Sequence, residues 1–223
     1  MHELEDRIKY TFSNRSLLDQ ALTHRSFGTS NNERLEFLGD AVLNLVIGRY
    51  LFERHPDLPE GELTRVRSVL VDQDGLTRIS RDLDLGVHLK LGAGEEKTEG
   101  SKRPSILSDA VEAIFGAVYL DSGFEAVERV IRTLYSSYIE NTDPRELSKD
   151  PKTKLQEFLQ GIRIALPDYG VIDVLGEAHD QEFVVECRVP TFDVAARGNG
   201  RSRRSAEQEA ARLAYKLISE QEA

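Results

Sequence analysis

Five carboxylates fall at helical spacing in two separate segments of this 223-residue chain. Glu33, Glu36 and Asp40 lie at i, i+3 and i+7, within about 60° of one another on a helical wheel. Asp109 and Glu112 lie at i, i+3. The bland reading of the first set is a solvated acidic face. Two features weaken it. No Lys or Arg falls between Arg34 and Arg49 to pair locally with Glu36 or Asp40, and the same face runs on into the apolar Leu43 and Ile47. The second set is sharper. Asp109 and Glu112 are the only charges in SILSDAVEAIFGAVYL (105–120), and no basic residue occurs from Pro104 to Glu128. A helix apolar on nearly all sides is normally buried. Burying carboxylates without partners is costly or drives their pKa upward. A divalent cation shared by Glu36, Asp40, Asp109 and Glu112 would compensate. Four carboxylates without a thiolate make an oxygen site that suits Mg²⁺, with Mn²⁺ as a substitute, rather than zinc. A di-iron bundle would use Glu-x-x-His pairs, and no histidine here has a Glu three residues before it. Spacing alone favours the metal site and leaves the solvated face open.

A basic cluster stands far from these acids in the chain. Gly198–Ser205 reads GNGRSRRS and leads into the last helical segment. Ser202 or Ser205 can be its N-cap, and Ser205 with Gln208 fits a capping box. Arg203 and Arg204 then sit at a helix N-terminus, where cations oppose the macrodipole. With free backbone N–H groups beside them, they make a good phosphate site; a solvated charge run is the alternative. The chain as a whole is net −10. Residues 1–149 carry 19 basic and 26 acidic residues, and 150–223 carry 10 and 13. That balance taken alone argues against a nucleic-acid binder, so the basic cluster is a question about sites.

The elements that must position these residues are helical in the first part. Asn32–Phe52 has Leu35, Leu38, Val42, Leu45 and Val46 near the 3.6 period, with Asn31 or Asn32 as N-cap. Glu62–Val71, Gly75–Leu83, Ser105–Leu120 and Glu125–Ile139 read as further helices, and Gly92–Pro104 as a loop. The texture then changes. Asn141–Pro151 has two Asp-Pro steps and reads as a linker. Lys152–Gly161 is a short helix. Gln181–Val189 alternates as a strand, with Phe183, Val185, Cys187 and Val189 on one face and Val184, Glu186 and Arg188 on the other. Tyr169–Leu175 and Phe192–Arg197 are weaker strands. Ser202–Ile218 closes as a helix with Ala206, Ala210, Leu213, Ala214 and Leu217 inward. The second part is therefore α-β-β-β-α.

Composition excludes other classes. With 39% apolar and 30% charged residues the chain is an ordinary globular protein. No stretch approaches the roughly 20 apolar residues of a membrane span, and MHELEDRIKY has no secretory core. One cysteine, Cys187, excludes an intrachain disulfide and fits a cytoplasmic location.

The exact residues resemble a known family. NERLEFLGDAV at 32–42 is similar to the signature of ribonuclease III, and SDAVEAIFGAVYLD at 108–121 to its second acidic motif. KTKLQEFLQG at 152–161, GEAHDQEF at 176–183 and GRSRRSAEQEAA at 200–211 resemble a double-stranded-RNA-binding domain. The short form, with nothing appended, resembles the bacterial enzymes. The resemblance implies two domains: an all-α endonuclease domain over 1–143, a linker at 144–150, and an α+β RNA-binding domain over 151–223. It implies a homodimer that hydrolyses double-stranded RNA with Mg²⁺, leaves 5′-phosphate and 3′-hydroxyl ends, and processes precursor ribosomal RNA and other structured transcripts. No membrane and no organic cofactor are expected. By motif position Glu36, Asp40, Asp109 and Glu112 are the metal-binding acids, with Asp40 and Glu112 catalytic. Glu33, Glu60 and Glu95 fall where the family has secondary acids. Phe37 matches an aromatic that enters the partner subunit, though on this apolar helix it can equally be core of its own subunit. Thr153, Gln156 and Glu157 match the helix that meets the RNA minor groove, His179 the loop that reaches the next one, and Arg203 and Arg204 the phosphate clamp. Ser205 departs from the Lys often third in that clamp. The rival of another class is a duplex-RNA-binding regulator that does not cut; its mark would be a missing acid, and none is missing.

Overall fold

Backbone groups buried with the apolar side chains of this sequence must pair among themselves, and the first part does so in helices. The computed structural model describes residues 2–140, 143, 144, 146, 149–176 and 181–221. His179 and residues 145, 147 and 148 of the expected linker lie outside the described residues. The chain divides into two compact units, Met1–Ser148 and Lys149–Ala223.

The first unit is helical: α1 (His2–Ile8), α2 (Arg15–Ala21), α3 (Glu33–Arg54), α4 (Glu60–Val71), α5 (Gln73–Asp82), α6 (Ala93–Lys97), α7 (Pro104–Ser122) and α8 (Phe124–Glu140). At its centre is α7, buried from Ile106 to Val118 except at Asp109 and Glu112, which are half-buried. Pro104 opens α7 at a position where the missing N–H costs nothing. Gly123 closes it at φ +77°, a conformation that favours glycine. The Asn31 side chain accepts from Glu33 N–H at 3.1 Å and starts α3.

Two expectations for this unit fail. Residues 92–104 are not all loop, since they fold the short α6 and a 3₁₀ turn at Gly100–Lys102. Their glycines and charges hide two turns too short to show a period. Leu45, expected inward, is 59% exposed, while Leu43, Val46 and Ile47 fill the core. α3 meets its core on a face turned slightly from the one chosen by spacing.

The second unit runs α9 (Pro151–Gly161), β1 (Asp168–Leu175), β2 (Glu182–Val189), β3 (Val194–Gly200) and α10 (Arg203–Gln221). The three strands form an antiparallel sheet in the order β1-β2-β3. Val185, Cys187 and Val189 of β2 pack with Ala206, Ala210, Ala211, Ala214 and Ile218 of α10 and with Leu155 and Leu159 of α9. Glycine is needed at Gly198, where a Cβ would lie 2.2 Å from the backbone of Ala210 and stop the helix lying against the sheet. Here too, expectations need correction. Glu186 is buried, not solvated, because Arg188 (2.5 Å) and Arg197 (3.2 Å) both pair with it. Pro190–Phe192 form a 3₁₀ turn, so β3 starts at Val194. Leu217 points outward and Ile218 takes the inner place.

Candidate active site

The acids meet because two helices touch backbone to backbone. A Cβ on Gly39 of α3 would lie 1.8 Å from the Glu112 carbonyl oxygen of α7. A Cβ on Gly116 would lie 2.2 Å from the Leu35 carbonyl oxygen. Glycine at both positions lets the helices cross at a distance no other residue allows. Glu36, one turn before Gly39, is thereby set against Asp109 and Glu112. One carboxylate oxygen from each of the three lies within 4.8 Å of the others.

Crowding three carboxylates in a half-buried place has the expected electrostatic result. Burial, followed by the charges of Asp40, Glu36 and Asp109, pushes the Glu112 carboxyl up to about 8. Burial, then Asp109 and Glu33, raises Glu36. Burial raises Asp109 against the hydrogen bond from Ser108. An oxygen-only trio with raised pKa values is the donor set of a hard divalent cation.

Asp40 stands outside this trio. Its Oδ1 accepts from Asn44 Nδ2 at 2.8 Å, and the same amide donates to the Asp40 carbonyl at 3.0 Å. Asn44 was not singled out by spacing, although an amide one turn after an acid is a visible signal. Glu33, Glu36, Glu95 and Asp109 share one cavity of about 380 Å³. Glu95 is held there by Arg103 at 3.0 Å. Glu60 is elsewhere: it accepts from the Thr64 hydroxyl at 2.7 Å and lines a second groove with Leu45, Phe52 and Leu63. Phe37 is 80% exposed and is not core of its own subunit.

In the second unit Thr153, Gln156, Arg203 and Arg204 line one cavity of about 560 Å³ with Asp150 and Gln208. Gln208 fastens the start of α9 to α10, accepting from Lys152 N–H at 3.1 Å and donating to Asp150 at 3.0 Å. The cap of α10 is Ser202, not Ser205. Ser205 N–H donates to Ser202 Oγ and Ser202 N–H donates back to Ser205 Oγ, at 3.1 and 3.0 Å. Arg203 pairs with Glu207 at 2.8 Å, and Arg204 is exposed. Glu157, on the exposed side of α9, pairs with Lys149 at 2.5 Å.

A helical unit with inward-facing carboxylates, followed by an α-β-β-β-α unit with arginines at a helix N-terminus, defines a two-part class. Comparison with known proteins gives each part its description. The Ribonuclease-III-like family profile matches residues 14–139 and the double-stranded RNA binding motif matches 151–218. Ribonuclease 3 of Thiobacillus denitrificans is 54% identical over 211 residues, 95% of this chain and 93% of that protein. Ribonuclease 3 of Aromatoleum aromaticum is 53% identical over 214 residues, 96% of this chain and 95% of that protein. The crystal structure of the nuclease domain of ribonuclease III from Campylobacter jejuni superposes with a TM-score of 0.61 at 44% identity, covering 64% of this chain and 98% of that one. The chain belongs to the ribonuclease III family. Among the described residues, no helix is long and apolar enough to cross a membrane.

Proposed function

We propose that this chain is a double-strand-specific endoribonuclease that hydrolyses phosphodiester bonds of duplex RNA with Mg²⁺, Mn²⁺ serving as a substitute. Its products carry 5′-phosphate and 3′-hydroxyl ends, and its substrates are precursor ribosomal RNA and other structured transcripts. The observation that carries this reading is the convergence of Glu36, Asp109 and Glu112 from two helices, within 4.8 Å, in a chain that also carries a double-stranded RNA binding motif. Family membership with relatives that cover nearly the whole chain supports it.

The oxygen-only trio fits a divalent cation, and these three residues would hold it, with Asp40 on the next turn of α3 as the fourth acid of the site. When bound, the cation supplies Lewis-acid stabilisation of the charge that develops on the phosphate. The residues do the rest. Glu112, whose carboxyl is pushed up to about 8, would release that proton in order to hold the cation. Asp40 and Glu112 form the catalytic pair, and Asn44 fixes the rotamer of Asp40. Arg203 and Arg204 grip phosphates at the start of α10, while Thr153, Gln156 and Glu157 face the minor groove. His179 is assigned to the next groove by its motif. Duplex RNA is read by shape, 2′-hydroxyls and phosphates, so little sequence preference follows from this unit. The active form is a homodimer joined through the α3 face that bears Phe37. A region involved in dimer formation is the subject of a second Campylobacter jejuni nuclease-domain structure (TM-score 0.59, 46% identity, 60% of this chain and 95% of that one). A buried, free Cys187 suits a cytoplasmic location.

The test is a long, perfectly paired RNA incubated with Mg²⁺ or with EDTA, wild type beside Glu112→Gln. Short duplex fragments from the wild type with Mg²⁺ alone are expected, with Glu112→Gln still retarding the RNA. Intact, retarded RNA in every lane would make the chain a binding regulator on a nuclease fold.

A further inference from the structure

The cavity that opens on the carboxylates is lined by basic side chains as well as acids: His24, Arg25 and Arg103 stand in it with Glu36 and Asp109. The segment carrying His24 and Arg25 is built rather than loose. Thr23 pairs with Lys90 in a parallel bridge. His24 N–H donates to the Lys90 carbonyl at 3.0 Å, and Lys90 N–H donates to the Leu22 carbonyl at 2.8 Å. Gly92 N–H donates to Ser26 Oγ at 3.0 Å. A Cβ on Gly92 would lie 2.3 Å from the Ser26 carbonyl oxygen, so only glycine permits this clamp.

The same clamp sets the histidine's protonation pattern. Ser26 N–H donates to His24 Nδ1 at 3.2 Å, and Ser26 Oγ lies 2.8 Å from that nitrogen. A nitrogen that accepts a backbone N–H carries no proton, so the neutral ring bears its proton on Nε2 and is a donor there. Arg25 is mostly exposed, and its nearest acid, Glu33, is 3.6 Å away, too far for a good hydrogen bond. Most of its donor fork is therefore uncommitted. Arg103 Nη2 donates to the Thr98 hydroxyl at 3.2 Å, while Nη1 forms an ion pair with Glu95 at 3.0 Å.

A wall of carboxylates repels a polyanion, and a bound cation offsets that only where it sits. Fixed donors beside it are what orient non-bridging phosphate oxygens. A bland surface pair between Arg25 and Glu33 would need neither the Lys90–Gly92 clamp nor a set tautomer on the neighbouring histidine. We propose that His24 and Arg25, with Arg103 beside them, are the phosphate-binding pole of the active site and grip a backbone phosphate of the strand being cut, next to the scissile bond. This rests on the nuclease reading above.

The experiment is single-turnover cleavage of a duplex carrying one methylphosphonate at each position flanking the cleavage site in turn. Wild type, Arg25→Ala and Arg25→Lys are compared, with duplex affinity and melting temperature measured alongside. Arg25→Ala is expected to slow cleavage about 10- to 100-fold, the range for one lost charge-assisted bond. Affinity should fall far less, melting should hold, and Arg25→Lys should recover part of the rate. At one position the methylphosphonate should slow the wild type and add nothing to Arg25→Ala. A wild-type rate for Arg25→Ala, or losses that multiply at every position, would overturn the proposal. A wild type that cuts no duplex at all would instead sink the nuclease reading, and that is visible without any variant.

Discussion

Glu112 is the residue where folding and chemistry conflict most directly. Its carboxyl titrates near 4.5 in the unfolded chain and near 8 in the fold. Between those values the folded state holds a proton that the unfolded state releases, so metal-free stability declines as pH rises from 4.5 to 8. Glu36 and Asp109 are shifted in the same direction. Solvent screens a half-buried group, so the penalty is about 1–2 kcal/mol rather than the full conversion of the shift. In EDTA, Glu112→Gln is therefore expected to melt above the wild type at about pH 8.5, with the gap closing toward about pH 5. Mg²⁺ should raise the wild type at the higher pH and leave the variant where it is. A gap that stays flat with pH would remove the charge-crowding account. Glu36, Asp109 and Glu112, the three acids the fold brings together, stood out in the sequence because residue type and the absence of nearby cations both show there. The basic side chains that share a cavity with Glu36 and Asp109 did not, since His24, Arg25 and Arg103 reach it from segments outside both acidic helices. Asp121, the last acid of the second motif, has a different job: it accepts from Ser13 N–H, Asn14 N–H and the Tyr10 hydroxyl, and so fixes the turn between α1 and α2.

At the scale of elements, the site depends on how closely α3 and α7 cross. Glycine inside a helix costs about 0.5–1 kcal/mol relative to alanine, so two of them in long helices ask for a reason. Gly39 and Gly116 supply it by letting backbone meet backbone. Gly39→Ala places a methyl 1.8 Å from a carbonyl oxygen that belongs to a buried helix and cannot swing aside. The expected cost is about 3 kcal/mol or more, read as a lower urea midpoint. Cation affinity should fall with it, because the helices carry Glu36 away from Asp109 and Glu112. Gly61 in α4 is the control: a Cβ there meets only the end of the Arg65 side chain at 3.9 Å. Gly61→Ala is expected to stabilise by about 0.5–1 kcal/mol. Equal effects at the two positions would refute the close-crossing argument. Periodicity found these long helices readily, since about twenty residues of a 3.6 repeat outweigh local accidents. It could not find α6, which is too short to show a period, nor the burial of Glu186, which depends in part on Arg197, brought opposite it by strand pairing.

At the scale of the whole molecule, the outer stripe of α3 is the feature that folding of one chain leaves unexplained. Phe37, Leu45 and Phe52 fall on one side of the helix and are 80%, 59% and 72% exposed. Leu45 and Phe52 border the groove that α4 completes with Leu63, Thr64 and Arg67. Water against three large apolar side chains in one stripe is costly, and contiguous apolar surface of this kind marks an interface. A chain at net −10 also repels its copies, so close self-association needs apolar contact to outweigh charge. Leu45→Glu with Phe52→Glu removes that contact and adds like charge on both sides of a two-fold interface. Sedimentation is expected to show a dimer for the wild type and a monomer for the double variant at micromolar concentration. The variant should keep its fold, since neither side chain is part of the core, and each chain keeps its own trio of acids. Duplex cleavage should nonetheless fall, because cutting both strands of one duplex draws on two such sites. A double variant that remains dimeric would move the interface elsewhere, and a monomeric wild type would remove the homodimer altogether. The acids and this stripe lie on adjoining sides of α3, with Asn44 bonded to Asp40 and lining the same groove as Leu45 and Phe52. Docking of a second copy on that groove therefore presses on the residue that orients Asp40. Loss of cation affinity in the monomeric variant would be the mark of that coupling.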